Sequence, residues 1–235
     1  MSLFKNSKSI ILLLLSLTIF LVVLDSAIVN VALPVIKKEL QFNDASLQWV
    51  LTAYILTFGG FLMLGGRTAD LFGRRRVLIF GIAGFTLFSL LIGLSNSSTL
   101  LIIFRAFQGL AAAFMAPTAL SILLTTFDEG HERNNALSIW ALVASGGAAA
   151  GVFLGGILTQ YLGWQWCFFV NVPFGILAIL GIQKYIPVQE KESKNNKLDV
   201  PGAIFVTSGL MALVYALTLA TELGWVATAT LTWLT

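Results

Sequence analysis

Apolar residues run through this chain in long uninterrupted blocks, separated by short polar segments. A helix needs about 20 consecutive apolar residues to cross the hydrocarbon core of a bilayer. That rule predicts spans at 9–33, 47–65, 77–94, 100–124, 136–161, 166–186 and 201–220. Pro34 is expected to close the first span, since it cannot continue the helical hydrogen-bond ladder. Gly224 and Trp225 predict a turn, and 226–235 reads as the opening of an eighth span, cut short. The pattern divides the chain into a six-span bundle at 1–186, a linker at 187–200 rich in Lys, Glu and Asn, and a last part at 201–235. The expected fold class is therefore an all-α polytopic membrane protein. The first apolar run follows Lys5 and Lys8, as a signal peptide would, but further spans come at once; it reads as an uncleaved span, with a cleaved leader as the alternative.

Charge supplies an orientation. Of 14 lysines and arginines, only Lys37 and Lys38 fall in predicted outer loops, and only Arg105 falls inside a span away from its cytoplasmic end, Lys184 closing the sixth. The other basic residues sit before span 1 or in alternate loops, including Arg67, Arg74, Arg75 and Arg76 between spans 2 and 3. Basic residues in short loops stay on the cytoplasmic side. The expectation is a multi-pass protein of the cell (inner) membrane with a cytoplasmic N-terminus.

Composition then excludes several classes. The chain is 57% hydrophobic and 11% charged, with mean hydropathy +0.90. A nucleic-acid partner would need a solvated basic face, and none is available. One cysteine, Cys167, and one histidine, His131, leave no basis for a metal cluster. No nucleophile–base set or phosphate loop is visible, so an enzyme is not expected. No cofactor is expected either.

The candidate chemistry is what lies inside the spans. Asp25 is a carboxylate in span 1, and a charge at the centre of a membrane helix costs at least about 2.5 kcal/mol. Such acids face a water-filled cavity or a partner, and an acid withdrawn from water is suited to taking and releasing protons. The alternative is a structural carboxylate bonded to a neighbouring helix, with Asn30 in the same polar patch. Arg105 begins a face of span 4 that continues through Gln108, Gly109, Ala112 and Ala116 at helical spacing. It either projects into a cavity or snorkels to the outer interface. In span 5, Gly147, Gly151 and Gly155 recur every four residues, with Gly156 beside them, which suits close helix packing. Trp164 and Trp166 fit an interfacial belt. Between spans 2 and 3, Gly66 and Gly73 permit a tight turn in a short aqueous loop. Asp70 is placed to cap a neighbouring helix start, and Arg74 and Arg75 to pair with acids.

Four stretches carry a family resemblance: LDSAIVNVALPVI (24–36), GRTADLFGRRRVL (66–78), RAFQGLAAAFMAPTAL (105–120), and GGAAAGVFLGGIL (146–158) followed by WQWCFFVNVPFG (164–175). In order and placement they resemble the major facilitator superfamily, and within it the fourteen-span drug/proton antiporters of the EmrB/QacA type. The resemblance implies a secondary transporter that exports drugs or other amphipathic small molecules against entering protons, with the proton gradient as its energy source. It implies roles in proton coupling or substrate recognition for Asp25 and Arg105, and Asn30 and Gln108 are candidates beside them from their placement. Gly66, Asp70, Gly73, Arg74 and Arg75 would form a conformational latch. It also implies a missing second bundle, supplied by a longer chain or by a second copy. Leu71, Val152 and Gln165 depart from the family pattern. Val152 stands where the antiporter signature has proline, which keeps open a metabolite facilitator or symporter. A non-transporting truncated chain is the third reading.

Overall fold

The computed structural model describes residues 2–188, 200–225 and 227–234. The linker expected at 187–200 lies almost wholly outside the described residues. Among those described, every regular element is helical: α1 (Ser2–Glu39), α2 (Asp44–Phe72), α3 (Arg74–Gly93), α4 (Ser98–Thr126), α5 (His131–Tyr161), α6 (Trp166–Phe169), α7 (Asn171–Tyr185), α8 (Val200–Leu223) and α9 (Thr228–Leu234). Among the described residues, six segments are long and apolar enough to cross a membrane, the sixth being α6 and α7 taken together.

Three element boundaries differ from the expectation. Pro34 does not close α1, which runs on to Glu39. Proline removes only one bond from a ladder that Ala32 and Ile36, both fully buried, hold in place on either side. The segment 66–78 is not a loop. Helix α2 continues through Arg67 and Asp70 to Phe72, and α3 begins at Arg74. Gly73 alone forms the joint, at φ 95°, a conformation L-residues rarely adopt; its N–H bonds the Ala69 carbonyl, and its own carbonyl accepts from Val77. The hydrogen-bond ladder of the sixth span is interrupted beside Val170, although the backbone there stays helical at φ −58° and ψ −29°. Pro173 causes this, because its ring crowds the carbonyl four residues back, that of Phe169. The interruption sets Asn171 at the first position of α7.

Small residues bring the helices together. Gly147, Gly151 and Gly155 face α1 along Phe20, Leu24 and Ile28; a Cβ on Gly151 would stand 2.7 Å from that of Ala27 and 2.8 Å from the Leu24 carbonyl oxygen. Gly156 is not part of that seam, since nothing lies within 4 Å of its own would-be Cβ. Helices α2 and α4 cross just as closely, at Gly65 against the Ala113 backbone and at Gly109 against the Tyr54 backbone. There Thr57 donates its hydroxyl across to the Ala106 carbonyl at 2.7 Å. Helix α8 leans on α2, with the Tyr215 ring 6.1 Å from Trp49 and 5.1 Å from Trp233 on α9.

The buried apolar residues form two clusters at different depths. One contains Ile11 to Val22 of α1 with Phe85, Ala111, Met115, Ala178 and Ile182. The other contains Ile28 to Ile36 of α1 with Val50, Ile92, Leu101, Cys167 and Phe168. Three helices that contribute to both carry a buried polar residue between their two contributions: Asp25 on α1, Ser89 on α3, and Arg105 and Gln108 on α4. In the sixth span that residue is Asn171.

Candidate functional site

Those five side chains form one hydrogen-bonded layer across the bundle. Asp25 is 0% exposed and Arg105 1%. Arg105 Nη1 donates to Asp25 Oδ2 at 2.6 Å, a short charge-assisted bond. Gln108 Nε2 and Asn171 Nδ2 both donate to Asp25 Oδ1 at 2.9 Å. The carboxylate thus faces one cation and two amide donors, which is how a buried charge is made tolerable. The Ser89 hydroxyl accepts from Gln108 Nε2 at 2.8 Å and donates to the Phe85 carbonyl at 2.7 Å.

Arg105 is held independently of its acid. Nε donates to the Val50 carbonyl at 3.0 Å, and Nη1 also reaches Gln108 Oε1 at 2.7 Å. The guanidinium lies over the Tyr54 ring, 4.2 Å from its centroid, and 5.9 Å from that of Phe168. It does not snorkel outward; the small face of α4 at Gly109 and Ala112 lets α2 close over it.

The remaining sequence candidates lie elsewhere. Asn30 is exposed and donates to the Ser26 carbonyl of its own helix at 2.6 Å, so it stands apart from the Asp25 layer. At the α2–α3 joint, Asp70 pairs with Arg74 at 3.1 Å rather than with a helix N-terminus. Arg75 Nη2 donates to the Gln183 carbonyl of α7 at 2.6 Å, binding a helix C-terminal turn rather than an acid. Gly66 sits inside α2 facing Pro117 at ordinary contact distance; the close approach belongs to Gly65 beside it. At the same end of the bundle, Lys8 of α1 bridges Asp128 and Glu132. At the opposite end, Trp164 is buried and its indole N–H donates to Glu39 at 2.9 Å, so it is a structural tie and not part of a surface belt. Trp166 is exposed.

Sequence reasoning missed Ser89, Asn171 and Tyr54. Asn171 had a signal: an amide within an apolar span, two residues before a proline. Ser89 had none, because a lone serine in a helix ordinarily bonds its own backbone. A groove of about 530 Å³ runs along α3 and α4 between Phe72, Phe80, Phe88, Phe107 and Phe114, with Arg76 at its edge; none of the layer residues lines it.

Comparison with known proteins agrees with this architecture. The sequence profile of the Major Facilitator Superfamily matches residues 15–235. The chain is 48% identical over 205 residues to the puromycin resistance protein pur8 of Streptomyces alboniger, covering 87% of this chain and 40% of that protein. It is 43% identical over 223 residues to the cephamycin export protein CmcT of Amycolatopsis lactamdurans, covering 94% and 46%. The chain thus spans less than half the length of these relatives. Among solved structures, a peptide transporter POT in complex with sulfate superposes with a TM-score of 0.70 at 16% identity, over 97% of this chain and 49% of that one. A bacterial homologue of the human lysosomal transporter Spinster, inward-facing and unoccupied, superposes with a TM-score of 0.68 at 20% identity, over 97% and 58%. Six apolar spans, a matching profile over nearly the whole chain and the shared bundle lead to one assignment: the chain is a multi-pass membrane protein that belongs to the major facilitator superfamily.

Proposed function

We propose that this chain supplies the first bundle of a proton-coupled efflux transporter, exporting amphipathic antibiotics or other drugs while protons enter. The observation that carries the reading is the buried layer around Asp25. An acid at this depth is expensive unless it works, and here its counter-ion has partners of its own. When a proton neutralises Asp25, Arg105 keeps Val50, Gln108 and the Tyr54 ring. The layer therefore has a second charge state that leaves no guanidinium stranded, which is what repeated loading and unloading requires. The relatives named for puromycin resistance and cephamycin export favour drugs as the cargo and outward as the direction.

In this reading a second bundle, from a longer chain or a second copy, forms the opposite wall of the substrate cavity, and the two rock about it. The N-terminus lies in the cytoplasm of a cell (inner) membrane, with Arg74–Arg76 and Lys8 on that side. Arg75 to Gln183 and Lys8 to Asp128 and Glu132 are the ties that form in one state and release in the other. Val152 favours a second reading, symport of a metabolite. It is 59% exposed on an unbroken α5, where the antiporter signature would place a proline.

The test uses the full-length transporter in everted vesicles with an imposed pH gradient and puromycin or ethidium as probe. Antiport predicts that the probe dissipates the gradient and accumulates, and that Asp25→Asn abolishes both. Coupling unchanged in Asp25→Asn removes Asp25 from the mechanism. Proton flow in the same direction as the cargo replaces antiport by symport.

A further inference from the structure

The layer is complete for one charge state of Asp25 and lacks an acceptor for the other. As drawn, everything that touches the carboxylate is a donor: Arg105 Nη1, Gln108 Nε2 and Asn171 Nδ2. A protonated Asp25 carries an O–H and needs an acceptor. Most of the nearby acceptors are already engaged. Gln108 Oε1 takes Arg105, and the Ser89 oxygen takes Gln108 while its own proton goes to Phe85. The Val50 carbonyl takes Arg105. Among the described residues, two buried oxygens close to Asp25 have no partner: the Tyr54 hydroxyl and Asn171 Oδ1, and of these only Asn171, 0% exposed, sits on a side chain already bonded to the carboxylate. Asn171 Oδ1 belongs to the same amide whose Nδ2 already donates to Asp25 Oδ1.

The amide of asparagine offers a donor and an acceptor of nearly the same shape, exchanged by a half-turn about its last torsion. We propose that Asn171 is the positioning residue that accommodates the proton on Asp25. With Asp25 ionised it presents Nδ2, and with Asp25 protonated it turns over so that Oδ1 accepts the new O–H. No covalent bond of Asn171 is made or broken; the proton arrives on Asp25 from water and leaves to water. Other titratable groups facing Asp25 are Arg105 on α4, Tyr54 on α2 and Cys167 on α6. The charged residues of α2, α3, α5 and α7 lie at the helix ends, and Ser89 is the contribution of α3. Asn171 heads α7, beside the point where Pro173 removes a hydrogen bond from the ladder of the sixth span.

The inference rests on the proposed role of Asp25 as proton carrier, and infrared difference spectroscopy separates the two. Full-length transporter with 13C-labelled asparagine side-chain amides is compared at high and low pH. Unmodified protein is expected to show a carboxylic-acid band that Asp25→Asn removes, and a labelled-amide band that shifts with it. In Asn171→Leu the acid band is expected at higher wavenumber, as for an acid without an acceptor, and proton-driven export about tenfold slower, as for loss of a hydrogen bond to a charged group. An acid band that does not respond to Asn171→Leu overturns the inference and leaves the carrier reading standing. No acid band attributable to Asp25 overturns both. Should the leucine variant not fold, the amide band of the unmodified protein decides alone: a band indifferent to pH, or one that still shifts in Asp25→Asn, overturns the proposal.

Discussion

Removing Arg105 leaves the buried Asp25 carboxylate with only two neutral amide donors. Arg105→Met keeps the bulk of the side chain but loses the 2.6 Å charged bond, the bonds to Val50 and Gln108, and the face of Tyr54. Breaking one side of a buried pair typically costs about 3–5 kcal/mol, and that is the expected loss of stability. Asp25→Asn is milder, because the guanidinium keeps its other partners; loss of one charged hydrogen bond predicts about 1.5–3 kcal/mol. The two are not independent. Once Arg105 is gone, neutralising Asp25 removes a stranded charge, so the double variant is expected to be no less stable than Arg105→Met alone. The coupling is then at least about 1.5 kcal/mol, within the range for residues in one network. Equilibrium unfolding in mixed micelles measures it, read by a brief maleimide pulse against Cys167, which is fully buried when folded. In a protein carrying Cys167 as its only cysteine the signal is unambiguous. Single losses that add in the double variant to within about 0.5 kcal/mol would refute the charge-pair argument.

Other substitutions probe the packing. Gly151→Ala sets a Cβ against Ala27 and the Leu24 carbonyl, whereas the Cβ of Gly156→Ala meets nothing within 4 Å; a thermal scan is expected to show a large loss of stability for the first and little change for the second. Gly73→Val puts a β-branched residue at φ 95° and is expected to destabilise by about 1–3 kcal/mol, measured in the same micelle unfolding assay. Arg75→Ala removes the bond to Gln183; about 0.5–1.5 kcal/mol is expected in that assay, together with a shift in conformational distribution detectable by spin labels on α3 and α7.

The spans were readable because a bilayer demands long apolar runs, and nothing in a soluble fold imitates them. Their ends were less so. Apolar length does not mark where helix stops, only where hydrocarbon does, so α2 passes seven residues beyond the predicted span and makes Arg67 and Asp70 helical. Asp25, Arg105 and Gln108 were visible as charged or polar residues that oil rejects. Their meeting was not, since Arg105 lies 80 positions along the chain from Asp25 and only the packing of α1 against α4 joins them. Asn30 shows the converse. It shares a helix with Asp25 but lies five residues on, and so it points to another face. Ser89 and Asn171 became significant only through neighbours from other helices.

The five-residue layer also acts as a depth gauge. Sliding any contributing helix by a single turn, about 5.4 Å, would carry its polar member into grease and strand the others. Vertical shear between these helices is therefore barred, while tilting of the whole assembly leaves the alignment untouched. A bundle keyed in this way keeps its middle in register while the ties at its ends remain free to part.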